Sequence, residues 1–230
     1  MVILAIILGL LPGFAWLVFY LKEDLHPEPK EIIFFVFLAG AFSAILALLA
    51  EYKAIDFFKL ISLERYSIGG LLVFAFIEEI CKFGVVYFIV KKSKYFDEPV
   101  DAMIYIVVAA LGFATLENIA VVSNIISKVT IIPFGDLLNA IPMRFIGATL
   151  LHTLASGILG YYWAMSIGEF GRKKILVLGI LLATLVHAVF NYLVVLNNEN
   201  NGGIIYTAPF LIVIGLLIIG DFEKLKKRPL

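Results

Sequence analysis

Long apolar runs, broken by short polar stretches, dominate the pattern of this chain. Seven runs predict helices at approximately 2–21, 32–50, 68–90, 101–127, 141–168, 175–196 and 204–220. Each is near the roughly 20 apolar residues a helix needs to cross a bilayer, where the backbone can bond only to itself. The runs are continuous and lack the alternation of lipid-facing barrel strands. No repeat period and no Pro/Ser-rich linker divides them. The expected fold is an all-α, polytopic transmembrane helical bundle of about seven spans, forming a single membrane domain over 1–230. The first run lacks a basic leading region and a small-x-small cleavage site, so it reads as a retained helix. Segment 51–66, EYKAIDFFKLISLERY, mixes apolar and charged residues at helical spacing, and is expected to lie in the outer interface.

Composition strengthens this picture. Hydrophobic residues make up 62% of the chain and charged residues 16%, with mean hydropathy +1.03; soluble domains run nearer half and a quarter. Eighteen basic residues balance eighteen acidic ones, so no global field draws in nucleic acid. The single cysteine, Cys81, lies inside an apolar run, which excludes an intrachain disulfide framework and a cysteine-based zinc site. Twelve Lys and Arg fall in loops 22–31, 91–100 and 169–174 and in the tail, against Lys53, Lys59, Arg65 and Lys128 on the other side. Cytoplasmic loops carry the excess. The expected topology is therefore N-terminus out and C-terminus in, for a multi-pass protein of the cell membrane.

Ionisable residues inside the spans are costly and normally face a bundle interior or a wet cavity. Span three carries Glu78, Glu79 and Lys82, span four Glu117, span five Arg144 and His152, and span six His187. At about 1.5 Å per residue, Glu78, Glu79, Glu117, His152 and His187 all lie roughly 14–17 Å from the outer ends of their helices. Four helices thus bring acids and imidazoles to one level. Lys82 is three residues from Glu79 and four from Glu78, so it can pair with either. Asn191 sits one turn beyond His187, Phe113 one turn before Glu117, and Ser156 one turn after His152. Arg144 is near its span's end, where it can snorkel, and Ser156 reads as a packing residue.

Such a cluster allows three chemistries. The acids can activate water as general bases while His and Asn stabilise an oxyanion. Glu117, His152 and His187 can hold a metal, zinc being the ordinary choice, with an open position for hydrolysis. The cluster can also carry protons or cations in a transporter. The HExxH spacing is absent, so a metal site would be assembled across helices.

Taken together, Glu78-Glu79-x-x-Lys82 (EExxK), Phe113-x-x-x-Glu117 (FxxxE), His152, and His187-x-x-x-Asn191 (HxxxN) resemble the PrsW membrane proteases. These are relatives of the CAAX prenyl endopeptidases and bacteriocin-processing proteins, whose motifs read EExxxR, FxxxH and HxxxN. The resemblance covers about 68–196, the expected catalytic core. It implies intramembrane endoproteolysis of a single-span membrane protein, such as an anti-sigma factor, near the outer half of the bilayer. By that analogy Glu78 or Glu79 polarises water, assisted by His152 or Glu117. His187 and Asn191 bind the substrate carbonyl, and Lys82 sets the charge of the acid pair. Two departures stand out: Lys82 replaces the Arg of the CAAX relatives one residue early, and Glu117 stands where they carry histidine. A carboxylate there favours a metal, so glutamate-dependent and metal-dependent hydrolysis both remain open. The rivals are a proton- or cation-coupled transporter and a catalytically silent scaffold for single-span partners.

Overall fold

A computed structural model describes the backbone at residues 2–22, 26–128, 134–167, 173–200 and 206–227. Those residues form seven helices and no strand: α1 (Val2–Leu21), α2 (Lys30–Leu60), α3 (Ile68–Val90), α4 (Pro99–Lys128), α5 (Phe134–Ile167), α6 (Lys173–Asn200) and α7 (Thr207–Lys226). Three of them, over Lys30–Leu60, Pro99–Asn124 and Lys173–Leu196, are long and apolar enough on their own to cross a bilayer. The distribution of polarity is inverted relative to a soluble bundle. Phe34, Phe35, Phe42, Leu48 and Leu49 of α2 are exposed, while Glu79, Lys82, Asp101, His152 and His187 are buried. Apolar surface on this scale needs lipid or protein to cover it.

The core is built around α4, whose residues 102–111 are all fully buried. A helix apolar on every side is stable only when surrounded, and α4 is surrounded by α1, α2, α3, α5 and α7. It meets α2 at close quarters. A Cβ at Gly40 would run into the Ala109 carbonyl, and one at Gly112 into that of Phe37. Two glycines, one on each helix, thus let the backbones meet, as small residues do where membrane helices cross closely.

Two findings position the site. Helix pairs α2·α3, α3·α6, α6·α5, α5·α4 and α4·α2 are all in contact, so five helices close a ring. In addition, α2 runs unbroken to Leu60, so residues 51–60 belong to the span helix rather than starting a separate interfacial one. The stretch has no Gly or Pro to stop it. At 31 residues and about 1.5 Å each, α2 is roughly 46 Å long and outruns a ~30 Å hydrocarbon core. Ser62, at φ 54°, reverses the chain beyond it. Ser67 then caps α3 by accepting the Gly70 N–H, and Phe58 packs on Phe74 with centroids 5.3 Å apart, pinning the hairpin.

Candidate metal and catalytic centre

Inside the ring the structure brings together six of the seven residues singled out by sequence. Glu78, Glu79 and Lys82 come from α3, Glu117 from α4, His152 from α5 and His187 from α6. Glu79 and Lys82 are wholly buried, and Glu78, His152 and His187 nearly so. The Glu117 side chain is 45% exposed and marks the open side.

Glu79 is the most fully engaged carboxylate. Its Oε1 accepts from Lys82 Nζ at 2.6 Å and from His187 Nδ1 at 2.8 Å, and its Oε2 accepts from the Ser156 hydroxyl at 3.0 Å. A buried carboxylate needs a counter-charge and several donors to be tolerated, and Lys82 and these partners supply them. Lys82 Nζ also donates to His152 Nδ1 at 2.9 Å and stands 4.5 Å from the centroid of the Phe113 ring. Phe113 in turn packs against the His152 ring at 5.2 Å. The aromatic residue of the FxxxE spacing therefore seats both the cation and the imidazole.

The partners assign the imidazole tautomers. His152 donates from Nε2 to Glu117 Oε2 at 2.8 Å, leaving a lone pair on Nδ1. His187 donates from Nδ1 to Glu79, leaving a lone pair on Nε2. Both of these nitrogens approach Glu78 Oε2, at 3.8 Å for His152 Nδ1, whose lone pair accepts from Lys82 Nζ, and at 3.6 Å for His187 Nε2. That oxygen is buried, and among the described residues no N–H or O–H donor reaches it. Glu78, His152 and His187 form a group whose ligand atoms all lie within 4.8 Å of one another. Ligands on a tetrahedral ion at ~2.0–2.2 Å bond length stand about 3.4 Å apart, so these donors fit a metal once they draw together and Lys82 Nζ gives up the His152 Nδ1 lone pair. Each imidazole also has its other nitrogen held by a carboxylate, the usual outer support of a metal-bound histidine.

In this arrangement Glu78, rather than Glu117, joins the two histidines. Glu117 is expected in the trio because it stands at the histidine position of the relatives' FxxxH motif, but motif position does not specify rotation about a helix axis. It lies across the His152 ring, on the opposite nitrogen. Asn191 is half-buried, and no hydrogen bond links it to the cluster among the described residues. The Arg144 side chain lies outside the described residues. Asn118 donates to Thr149 Oγ1 at 2.9 Å and ties α4 to α5. His26 pairs with Glu98, away from the site. A second acidic group, Glu28, Asp97 and Asp101, lies at the start of α4; there Asp101 accepts the backbone N–H groups of Asp97 and Glu98, a capping role.

Two participants escaped the sequence reading. Ser156 orients Glu79, as described. Glu51, near the end of α2, is half-buried, and it stands near enough to Glu78 for the two charges to act on each other. The readable signal for Glu51 was its register: nine residues before the end of α2, against ten from the start of α3 to Glu78.

Comparison with known proteins adds an independent line. Residues 28–218 match the family model described as PrsW family intramembrane metalloprotease. The chain is 31% identical over 194 residues to the protease PrsW of Geobacillus kaustophilus, covering 80% of this chain and 77% of that protein. It is 26% identical over 220 residues to that of Oceanobacillus iheyensis, covering 94% and 93%, and 28% identical over 216 residues to that of Bacillus subtilis, covering 89% and 87%. No solved structure matches.

Proposed function

The chain belongs to the PrsW family of intramembrane metalloproteases, and from that premise we propose that it is a zinc-dependent endopeptidase cutting a single-span membrane protein near the outer half of the bilayer. The observation that carries this reading is the convergence of Glu78 Oε2, His152 Nδ1 and His187 Nε2, with Glu79 and Glu117 behind the two imidazoles. Two His and one Glu are a common catalytic zinc set with a fourth position open. Zinc bound there would supply Lewis-acid polarisation of the scissile carbonyl and a lowered pKa for water.

The chain's own residues do the rest. Glu79 and Glu117 hold the imidazole tautomers and ring orientations. Lys82 neutralises Glu79, which is saturated with donors and so is assigned to positioning rather than to water activation. Asn191, on the His187 face, is assigned to the carbonyl oxygen of the substrate. The ring of helices limits water to the side marked by Glu117. The charge count in the loops supports an N-out, C-in arrangement in the cell membrane. The substrate class, an anti-sigma factor or another single-span protein, follows the family resemblance.

Terminal proteomics of host membranes tests this, comparing wild type with Glu78→Gln at matched expression. New N-termini just outside single-span proteins, present in wild type and absent in the variant, are expected. Identical termini under several envelope stresses, with the protein folded, would sink the protease reading in favour of a scaffold.

A further inference from the structure

We propose that the groove between the start of α2 and the end of α3 holds one phosphatidylethanolamine molecule, its acyl chain along α2 and its headgroup between Glu31 and Lys94. The site is separate from the buried centre and does not depend on the chemistry assigned there.

Shape gives the first argument. The groove has a volume of about 820 Å³, within the ~300–1,000 Å³ of small-molecule sites. Phe35, Leu38, Ala39 and Phe42 of α2 and Ile89 of α3 wall it, with Glu31 and Tyr95 at one end. Phe58 against Phe74 closes the opposite end of the same hairpin. From Glu31 to Phe42 is eleven residues, about 16 Å along the helix. That is close to half of a ~30 Å hydrocarbon core. The groove therefore has the depth of one leaflet, which suits a lipid chain. The spanning helix of a protein partner would need a seat about twice as long.

Polarity gives the second argument. The apolar walls end in a polar mouth. Tyr95 is the kind of amphipathic ring that sits at a membrane interface, and Lys94 Nζ stands 4.9 Å from its centroid. Glu31 is exposed at the same end. Among the described residues neither Glu31 nor Lys94 has an ion-pair partner. A headgroup with a phosphate beside a primary ammonium complements this pair, phosphate to Lys94 and ammonium to Glu31. Phosphatidylglycerol would satisfy the lysine but bring only negative charge to the carboxylate. The mouth lies at the end of the bundle where loops 22–31 and 91–100 carry their lysines. By charge count that end is cytoplasmic, so the lipid is one of the inner leaflet.

Native mass spectrometry of the full chain in mild detergent, given phosphatidylethanolamine or phosphatidylglycerol, tests this. Wild type should hold one lipid and prefer phosphatidylethanolamine. Glu31→Gln should reduce that preference by about two- to fivefold, the worth of an exposed ion pair. Ala39→Trp fills the groove and should abolish retention of either lipid, with Leu38→Trp as the substitute if that variant fails to fold. A ligand that binds only the folded state raises the unfolding midpoint, so phosphatidylethanolamine should raise that of wild type and not that of Ala39→Trp. Equal retention by wild type and Ala39→Trp would overturn the site. Absence of a headgroup preference in wild type would overturn the match to Glu31 and Lys94. A photoreactive benzoylphenylalanine in place of Phe35, used in host membranes, separates a lipid from a protein occupant. A lipid adduct is expected, and a polypeptide adduct would make the groove a protein-docking surface instead.

Discussion

His187 Nδ1 lies 2.8 Å from Glu79 Oε1, which turns the other nitrogen of the same ring toward the neighbouring Glu78. One helix thus supplies both the carboxylate that orients the imidazole and the carboxylate that would share a metal with it. A carboxylate behind a metal-bound histidine fixes its ring and raises its basicity, and its loss typically costs 10–100-fold in metal affinity. Glu79→Gln should therefore weaken zinc binding by about 10–100-fold, read by chelator competition on the purified protein. Unchanged affinity would show that His187 is not held through Glu79.

Glu117 offers a graded comparison. It supports His152 as Glu79 supports His187, but its side chain is 45% exposed, whereas that of Glu79 is fully enclosed. Water screens an exposed partner and replaces it more readily. Glu117→Gln should therefore weaken zinc binding less than Glu79→Gln, and both less than Glu78→Gln. A larger effect at Glu117 would make it a ligand and restore the trio expected from sequence.

The sequence carried the level of the site but not its rotation. Charged residues inside apolar runs are conspicuous, and counting residues from span ends placed Glu78, Glu117, His152 and His187 at one depth. Which acid meets which imidazole depends on how each helix turns about its axis, and that is decided by contacts such as Phe113 against His152 and Gly112 against Phe37. Glu51 was hidden for another reason. It is followed by Lys53, Asp56 and Lys59, where one more charge looks like a solvated face. Its meaning appears only once α2 is seen to continue to Leu60 and fold back beside α3. Ser156 was legible as a packing residue, because a hydroxyl on an apolar helix has no visible partner until α3 and α5 are set side by side.

The buried pair Lys82–Glu79 separates folding from chemistry. The two atoms are 2.6 Å apart with both side chains fully enclosed. Removing one partner leaves a charge without compensation, at a cost of about 3–5 kcal/mol. Lys82→Met should destabilise the protein by that order, seen as a lowered midpoint of thermal unfolding in detergent. The double variant Glu79→Gln/Lys82→Met removes both charges and should recover much of the stability, yet its zinc affinity should stay low, since His187 still lacks its carboxylate. If the double variant regains affinity along with stability, then Glu79 serves only the fold.

The α2–α4 crossing makes the last prediction, and it concerns packing alone. A Cβ at Gly112 would collide with the Phe37 carbonyl, a backbone atom that cannot swing aside. Gly112→Ala must push the two helices apart, and forced overpacking of this kind costs about 1–3 kcal/mol. Gly84 on α3 is the control, because a Cβ there meets nothing within 4 Å. An alanine relieves the helix of glycine's backbone freedom, worth about 0.5–1 kcal/mol, so Gly84→Ala should be neutral or stabilising. Thermal unfolding of both variants in one detergent reads the contrast. The Gly112 change should also reach the site, since Phe113, which seats Lys82 and His152, is the next residue on the displaced helix. Zinc affinity should then fall in Gly112→Ala and hold in Gly84→Ala. Equal stability of the two variants would show that α2 and α4 do not meet at that crossing.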